Sequence, residues 1–274
     1  MTQDALLMHG ESENDMKLGI LTWITEADFA KQRERGLDFV EFDVNDRDRE
    51  FLDNLERTRR FSQIYDLPVQ AVGRWNTFRI TEGGLNQAEL ETELRLIDTA
   101  ASLGCGVYIT GCNLVKELSY YTNCSYAIEY FEKLIDYARQ YGIRIAVYNC
   151  RMRNFVCEPS AWKIILGHLD ELYIKYDAAH CLRFGGDPLQ EVYQWGERFA
   201  HVHLKGCIVM DGKRYDDPPA GMDMINWPAI IAVLYSKGYD GGLSIELDSG
   251  CWEGALQDKA IARTIRYFRD LIWS

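Results

Sequence analysis

Hydrophobic positions along the chain follow two alternating rhythms. Amphipathic stretches, apolar at three- and four-residue steps, each lead through a glycine into a short and almost continuous apolar run. The join recurs as QRERG-LDFVEF, AASLG-CGVYIT, ARQYG-IRIAVY and LYSKG-YDGGLSIE, with its glycine at 36, 104, 142 and 238. Leu90, Leu94, Ile97 and Ala101 keep helical spacing, as do Ala127, Phe131, Leu134, Ala138 and Tyr141. A glycine just past a helix accepts the left-handed backbone that ends it, and the run beyond emerges as a strand. Those runs, LGILTW, VYITG and IRIAVY among them, alternate too little for a sheet with one wet face. They suit parallel strands covered on both sides.

The join glycines are spaced by one, two or three units of roughly 32 to 38 residues, the length of a strand, a helix and their connections. Weaker strands fill the gaps: LPVQAVG from 67, LYIKYD from 172 and FAHVHLK from 199, with KLGILTW opening the series at 17. Eight such units predict an α/β chain folded as a single (β/α)8 TIM barrel. A doubly wound open sheet is the alternative, and the lack of a Gly-rich phosphate fingerprint disfavours it. No linker or low-complexity seam divides the chain. Residues 16–274 therefore form one barrel domain, and residues 1–15, acidic and without an apolar core, are expected to be a flexible leader rather than a signal peptide.

Composition narrows the partners. Forty-two acids against 30 Lys and Arg leave a net charge of −12, which argues against a nucleic-acid surface and against an anionic membrane. The longest apolar run, Pro228 to Tyr235, is far short of the ~20 residues that span a bilayer. Eight cysteines stand singly, with no CxxC pair, which suits reduced thiols in a cytoplasmic protein.

A TIM barrel carries its chemistry at the C-terminal ends of its strands. The polar residues at those ends are Trp23, Glu41 and Asp43, Arg74 and Trp75, Thr110 and Cys112, Tyr148 and Asn149, Asp177 with His180, then His201, His203 and Lys205, and finally Glu246 and Asp248. Asp177, His203 and Glu246, from the last three strands, make a hard N/O donor set for a dication such as Mn²⁺, Zn²⁺ or Mg²⁺. Strand parity puts His201, His203 and Lys205 on one face, the inner one if they act.

Three segments resemble the xylose-isomerase-like TIM barrels known as sugar phosphate isomerases and epimerases. They are YDAAH at 176–180 followed by GGDP at 185–188, HVHLK at 201–205, and GMDMINWPAIIAVLYSKGYDGGLSIEL at 221–247. The resemblance implies a divalent metal bound through Glu on strand five, Asp on six, His on seven and Glu on eight, acting on a small sugar or polyol. Asp177, His203 and Glu246 match the last three positions. The first is occupied by Tyr148, in Tyr-Asn where the family usually reads Glu-Asn, and Gly206 stands where an Asp usually follows the strand-seven Lys.

On this reading Glu246 and Tyr148 are the catalytic acid–base pair, with Lys205 stabilising negative charge. Tyr148, with an ordinary pKa near 10, suits an acid or hydrogen-bond donor better than a base, and it equally fits a side chain filling the lost ligand's space. His180, Trp23, Trp75, Asn149 and Arg74 are expected to contact the substrate. With one negative donor missing, the metal is expected to be partly occupied. The alternative is a metal-free or non-catalytic carbohydrate-binding barrel; an abasic-site endonuclease, which shares the fold, is disfavoured by the acidic balance. Isomerase, epimerase and lyase chemistry remain open, as does a homo-oligomer.

Overall fold

The structure is a computed structural model that describes residues 15–45, 48–247 and 250–273. The leader, except Asp15, and Asp248 lie outside these residues. Eight strands form the barrel: β1 (Lys17–Leu21), β2 (Phe39–Asp43), β3 (Val69–Gly73), β4 (Val107–Thr110), β5 (Arg144–Tyr148), β6 (Leu172–Asp177), β7 (Phe199–Leu204) and β8 (Gly242–Ile245). Every neighbouring pair is parallel, and β8 closes the ring on β1 with Lys17 opposite Gly242 and Ile20 opposite Ile245. Closure excludes the open doubly wound sheet.

Eight principal helices follow the strands: α1 (Glu26–Glu34), α2 (Leu55–Tyr65), α3 (Gln87–Ser102), α4 (Tyr120–Arg139), α5 (Pro159–Ile165), α6 (Pro188–Trp195), α7 (Trp227–Ser236) and α8 (Gln257–Arg269). Short helices at Asp48–Asp53 and Ala178–Arg183 precede α2 and α6. All four join glycines adopt left-handed backbone, with φ of 71° at Gly36, 74° at Gly104, 68° at Gly142 and 70° at Gly238. An L side chain is strained there, so the helix-to-strand cadence visible in the sequence is a backbone requirement.

The strands are apolar on both faces because both are covered. Leu18, Val40, Val72, Tyr108, Ile145, Ile174, Val202 and Leu243 pack in one large core with the helices. A smaller cluster of Ala71, Trp75, Val107, Ile109, Ala146, Tyr148 and Ala200 lies on the other parity, inside the ring. Glu41, Lys175, Asp177, His201 and His203 share that inner parity and are all buried. Two glycines shape the wall around Tyr148. A Cβ on Gly111 would lie 2.5 Å from the Tyr148 ring, and one on Gly73 would lie 1.9 Å from the Trp75 indole. The two aromatic rings stack, with centroids 5.6 Å apart.

A second polar knot ties the β3–α3 connection to the helix layer. Arg79 and Glu93 are fully buried and paired at 2.8 Å, and Glu93 also accepts from the Tyr130 hydroxyl at 2.9 Å and from Thr110 Oγ1. Among the described residues no helix is long and apolar enough to cross a membrane.

Candidate active site

β6, β7 and β8 bring Asp177, His203 and Glu246 together, with one ligand atom from each within 4.8 Å of the others. Register explains the convergence. Asp177 lies opposite His203, and His203 lies opposite Ser244, so Glu246 stands one inward step higher on β8. Asp177 divides its carboxylate between two tasks. Its Oδ1 caps the short helix that follows, accepting from the Ala179 amide at 2.9 Å, while Oδ2 is buried without a hydrogen-bond partner. Asn149 fixes this corner from β5: its Nδ2 donates to the Asp177 carbonyl and its Oδ1 accepts from the Asp177 amide, both at 2.9 Å.

His203 is engaged at both ring nitrogens. Nδ1 lies 2.7 Å from Glu246 Oε2, and Nε2 lies 2.9 Å from the Glu41 carboxylate. Glu41 Oε2 also meets His201 Nε2 at 2.9 Å. Lys205 Nζ stands 3.1 Å from Glu246 Oε1. On the other side, His180 Nε2 is 3.6 Å and Lys175 Nζ 3.9 Å from Asp177 Oδ2.

These contacts set the charge states. Burial opposes ionising Glu246, but Lys205 and His203 outweigh it and hold the carboxyl well below its usual range. Glu41 is likewise buried, and His203 and His201 hold it well below the ordinary value. Burial also opposes charging His203, yet Glu41 and Glu246 raise its pKa. His180 goes the other way: burial brings it down to about 4, despite Asp177 nearby, so it is neutral at neutral pH. Burial pushes the Tyr148 phenol up to about 12.

Glu246 keeps a fifth of its side chain exposed and opens on a cleft of about 450 Å³ shared with Trp23, Thr22 and Asp43. Asn149 and His180 line a neighbouring cleft with Arg151 and Phe184. Trp23 is 58% exposed at the rim, whereas Trp75 is buried against Tyr148. Two of the expected site residues are engaged by other parts of the chain. The Arg74 guanidinium pairs with Glu89 on α3 at 2.6 Å and donates to the Asn45 carbonyl at 2.6 Å. The Tyr148 hydroxyl donates to the Met152 carbonyl at 3.0 Å, and its ring forms part of the wall.

Glu41 and Lys175 were given no role by sequence reasoning. The signal available for both was parity: each is a charged residue on the inner face of an otherwise apolar strand. The donor set fits a metal. Asp177 Oδ2 is a buried oxygen with no hydrogen bond, and one carboxylate oxygen of Glu246 and one nitrogen of His203 reach the same point. Glu41 with His201 and His203 forms a second group of comparable spacing, deeper in the ring.

Comparison with known proteins agrees with this architecture. The xylose isomerase domain protein from Planctomyces limnophilus superposes with a TM-score of 0.78 at 13% identity, over 94% of this chain and 97% of that one. The 3-keto-D-glucoside 4-epimerase of E. coli gives 0.76 at 16% identity, over 93% and 99%. The D-allulose 3-epimerase from Methylomonas sp., solved with D-allulose, gives 0.74 at 16%, over 94% and 98%. At such identities the likeness carries the fold alone. No match is found among the curated proteins. A model of the xylose isomerase-like TIM barrel family matches residues 29–271, from within α1 to just past α8, and so takes in β2 to β8, which carry these side chains. The chain belongs to the xylose isomerase-like TIM barrel family.

Proposed function

We propose that the protein isomerises or epimerises a sugar or polyol through an enediolate, with Asp177, His203 and Glu246 holding a divalent metal. The observation that carries this reading is the setting of Glu246: a carboxylate held ionised, open to a cleft, and 3.1 Å from a buried ammonium. Such a group accepts a proton from the carbon beside a carbonyl. The C–H electron pair then forms the enediolate double bond, and the carbonyl electrons move onto oxygen. Lys205 is placed to stabilise that oxyanion as a fixed cation. A dication bound at the three donors would add Lewis-acid stabilisation of the same oxygen.

With the Tyr148 hydroxyl turned to Met152, no second acid–base group stands at the strand-five position. Glu246 is the group placed to return the proton, to the face from which it came. Within the proposed isomerase or epimerase chemistry, one-face return favours isomerisation by a 1,2 proton shift over inversion at carbon. His180, neutral and in the wall of the cleft it shares with Asn149, and Trp23, at the rim of the cleft beside Glu246, are the proposed sugar contacts.

The test is deuterium exchange. A panel of aldoses, ketoses and their phosphates is incubated with the protein in D₂O with added Mn²⁺, and NMR follows the proton beside the carbonyl. At least one sugar is expected to exchange, and E246Q to slow that exchange by about 10²-fold or more. Sugar binding without exchange would instead favour a carbohydrate-binding barrel. That second reading has one observation behind it, namely that the candidate metal ligands already face protein cations.

A further inference from the structure

We propose that Lys175 is the resident cation of the metal pocket and that it holds divalent-metal affinity low; the inference rests on the metal reading above. Lys175 sits two residues before Asp177 on β6, with the same inner parity, and is only 2% exposed. Its ammonium lies 3.9 Å from Asp177 Oδ2, the buried oxygen that otherwise makes no hydrogen bond. The Trp75 ring, 6.0 Å away, closes its other side.

Lys205 stands in the same relation to Glu246, at 3.1 Å. Each carboxylate of the candidate metal set therefore has an ammonium within 4.0 Å. Among the described residues, the carboxylates in direct contact with Lys175, Lys205 or His203 are Glu41, Asp177 and Glu246. Facing them are Lys175, Lys205 and a His203 ring hydrogen-bonded to carboxylates on both nitrogens. The cluster can balance its own charge. A dication entering it meets repulsion from Lys175 at close range, in a setting where water screens little. Tyr148 supplies no negative charge and Lys175 adds a positive one, so both act in the same direction, toward a pocket that holds metal less tightly.

The alternative is that Lys175 only neutralises Asp177 for the sake of the fold, with no bearing on metal. Calorimetric titration with Mn²⁺ and with Zn²⁺ separates the two. K175M keeps the length and apolar stem of the lysine; K175Q is the second variant, and thermal melts confirm that each is folded. Both variants are expected to bind metal about 100-fold more tightly than the parent, with a rise in Tm on metal addition. Introducing D177N into K175M should abolish the gain. If K175M and K175Q bind no more tightly than a parent that does bind metal, the role of Lys175 is wrong and the metal site stands. If neither parent nor variants bind at millimolar metal, both readings fall. Tight binding that survives D177N would place the metal elsewhere and overturn the proposal.

Discussion

His203 lies between Glu41 and Glu246, with a carboxylate at hydrogen-bonding distance from each ring nitrogen. A neutral imidazole has only one N–H, so one of these contacts would set lone pair against lone pair; the protonated ring donates to both. The linkage has opposite signs for the two partners. Glu41 titrates below its ordinary 4.5, so its contribution is present above that pH and is lost as pH falls through the folded value. His203 titrates above its ordinary 6.5, so its contribution is full below that pH and is lost as pH rises through the folded value. The pair therefore stabilises most between them. E41Q is expected to cost about 3–5 kcal/mol in denaturant melts near pH 5.5 and clearly less near pH 9. An equal cost at both would show that His203 is not charged in the fold. NMR titration should also find the His203 pKa lowered in E41Q.

Between elements, the most demanding contact is the Arg79–Glu93 pair, closed off between the β3–α3 connection and α4. Burial raises the Glu93 pKa in spite of Arg79, which shows how dry the environment is. E93A strands a buried guanidinium and the Tyr130 hydroxyl and is expected to lose about 3–5 kcal/mol in a urea melt; E93Q, which keeps two acceptor lone pairs, is expected to lose less. This knot also shows where sequence reading stops. The helix-to-strand joins were legible because only glycine sits easily at positive φ, and the inner placement of His201 and His203 was legible through parity. Arg74 looked like a mouth residue because it ends a strand, but the direction of a side chain just past a strand depends on how the loop leaves, which spacing does not encode. For Tyr148 the residue type left two roles open. In the fold Gly111 leaves room for the ring, and the phenol donates a hydrogen bond to the Met152 carbonyl.

On the scale of the whole molecule, the ring leaves no open edge only while β8 stands between β7 and β1. A chain ending at Asp240 would lack β8 and α8, expose unpaired backbone on two strands, and lose Glu246. It is expected to melt without a cooperative transition in circular dichroism. A sharp transition near that of the parent would mean that seven strands suffice and that closure adds little.

The pairing of Lys17 with Gly242 also has a consequence in time. The ribosome releases the chain at ~5–20 residues per second, so Glu41 precedes Glu246 by on the order of ten to forty seconds. Throughout that interval the nascent β1 has no partner on its outer side, and Glu41 has no histidine until β7 emerges. Before β7 arrives, Lys175 is at hand to offset Asp177, its neighbour on the same strand. Charge at the centre of the ring is thus assembled in an order set by translation, and the last carboxylate to arrive is the one assigned the proton transfer.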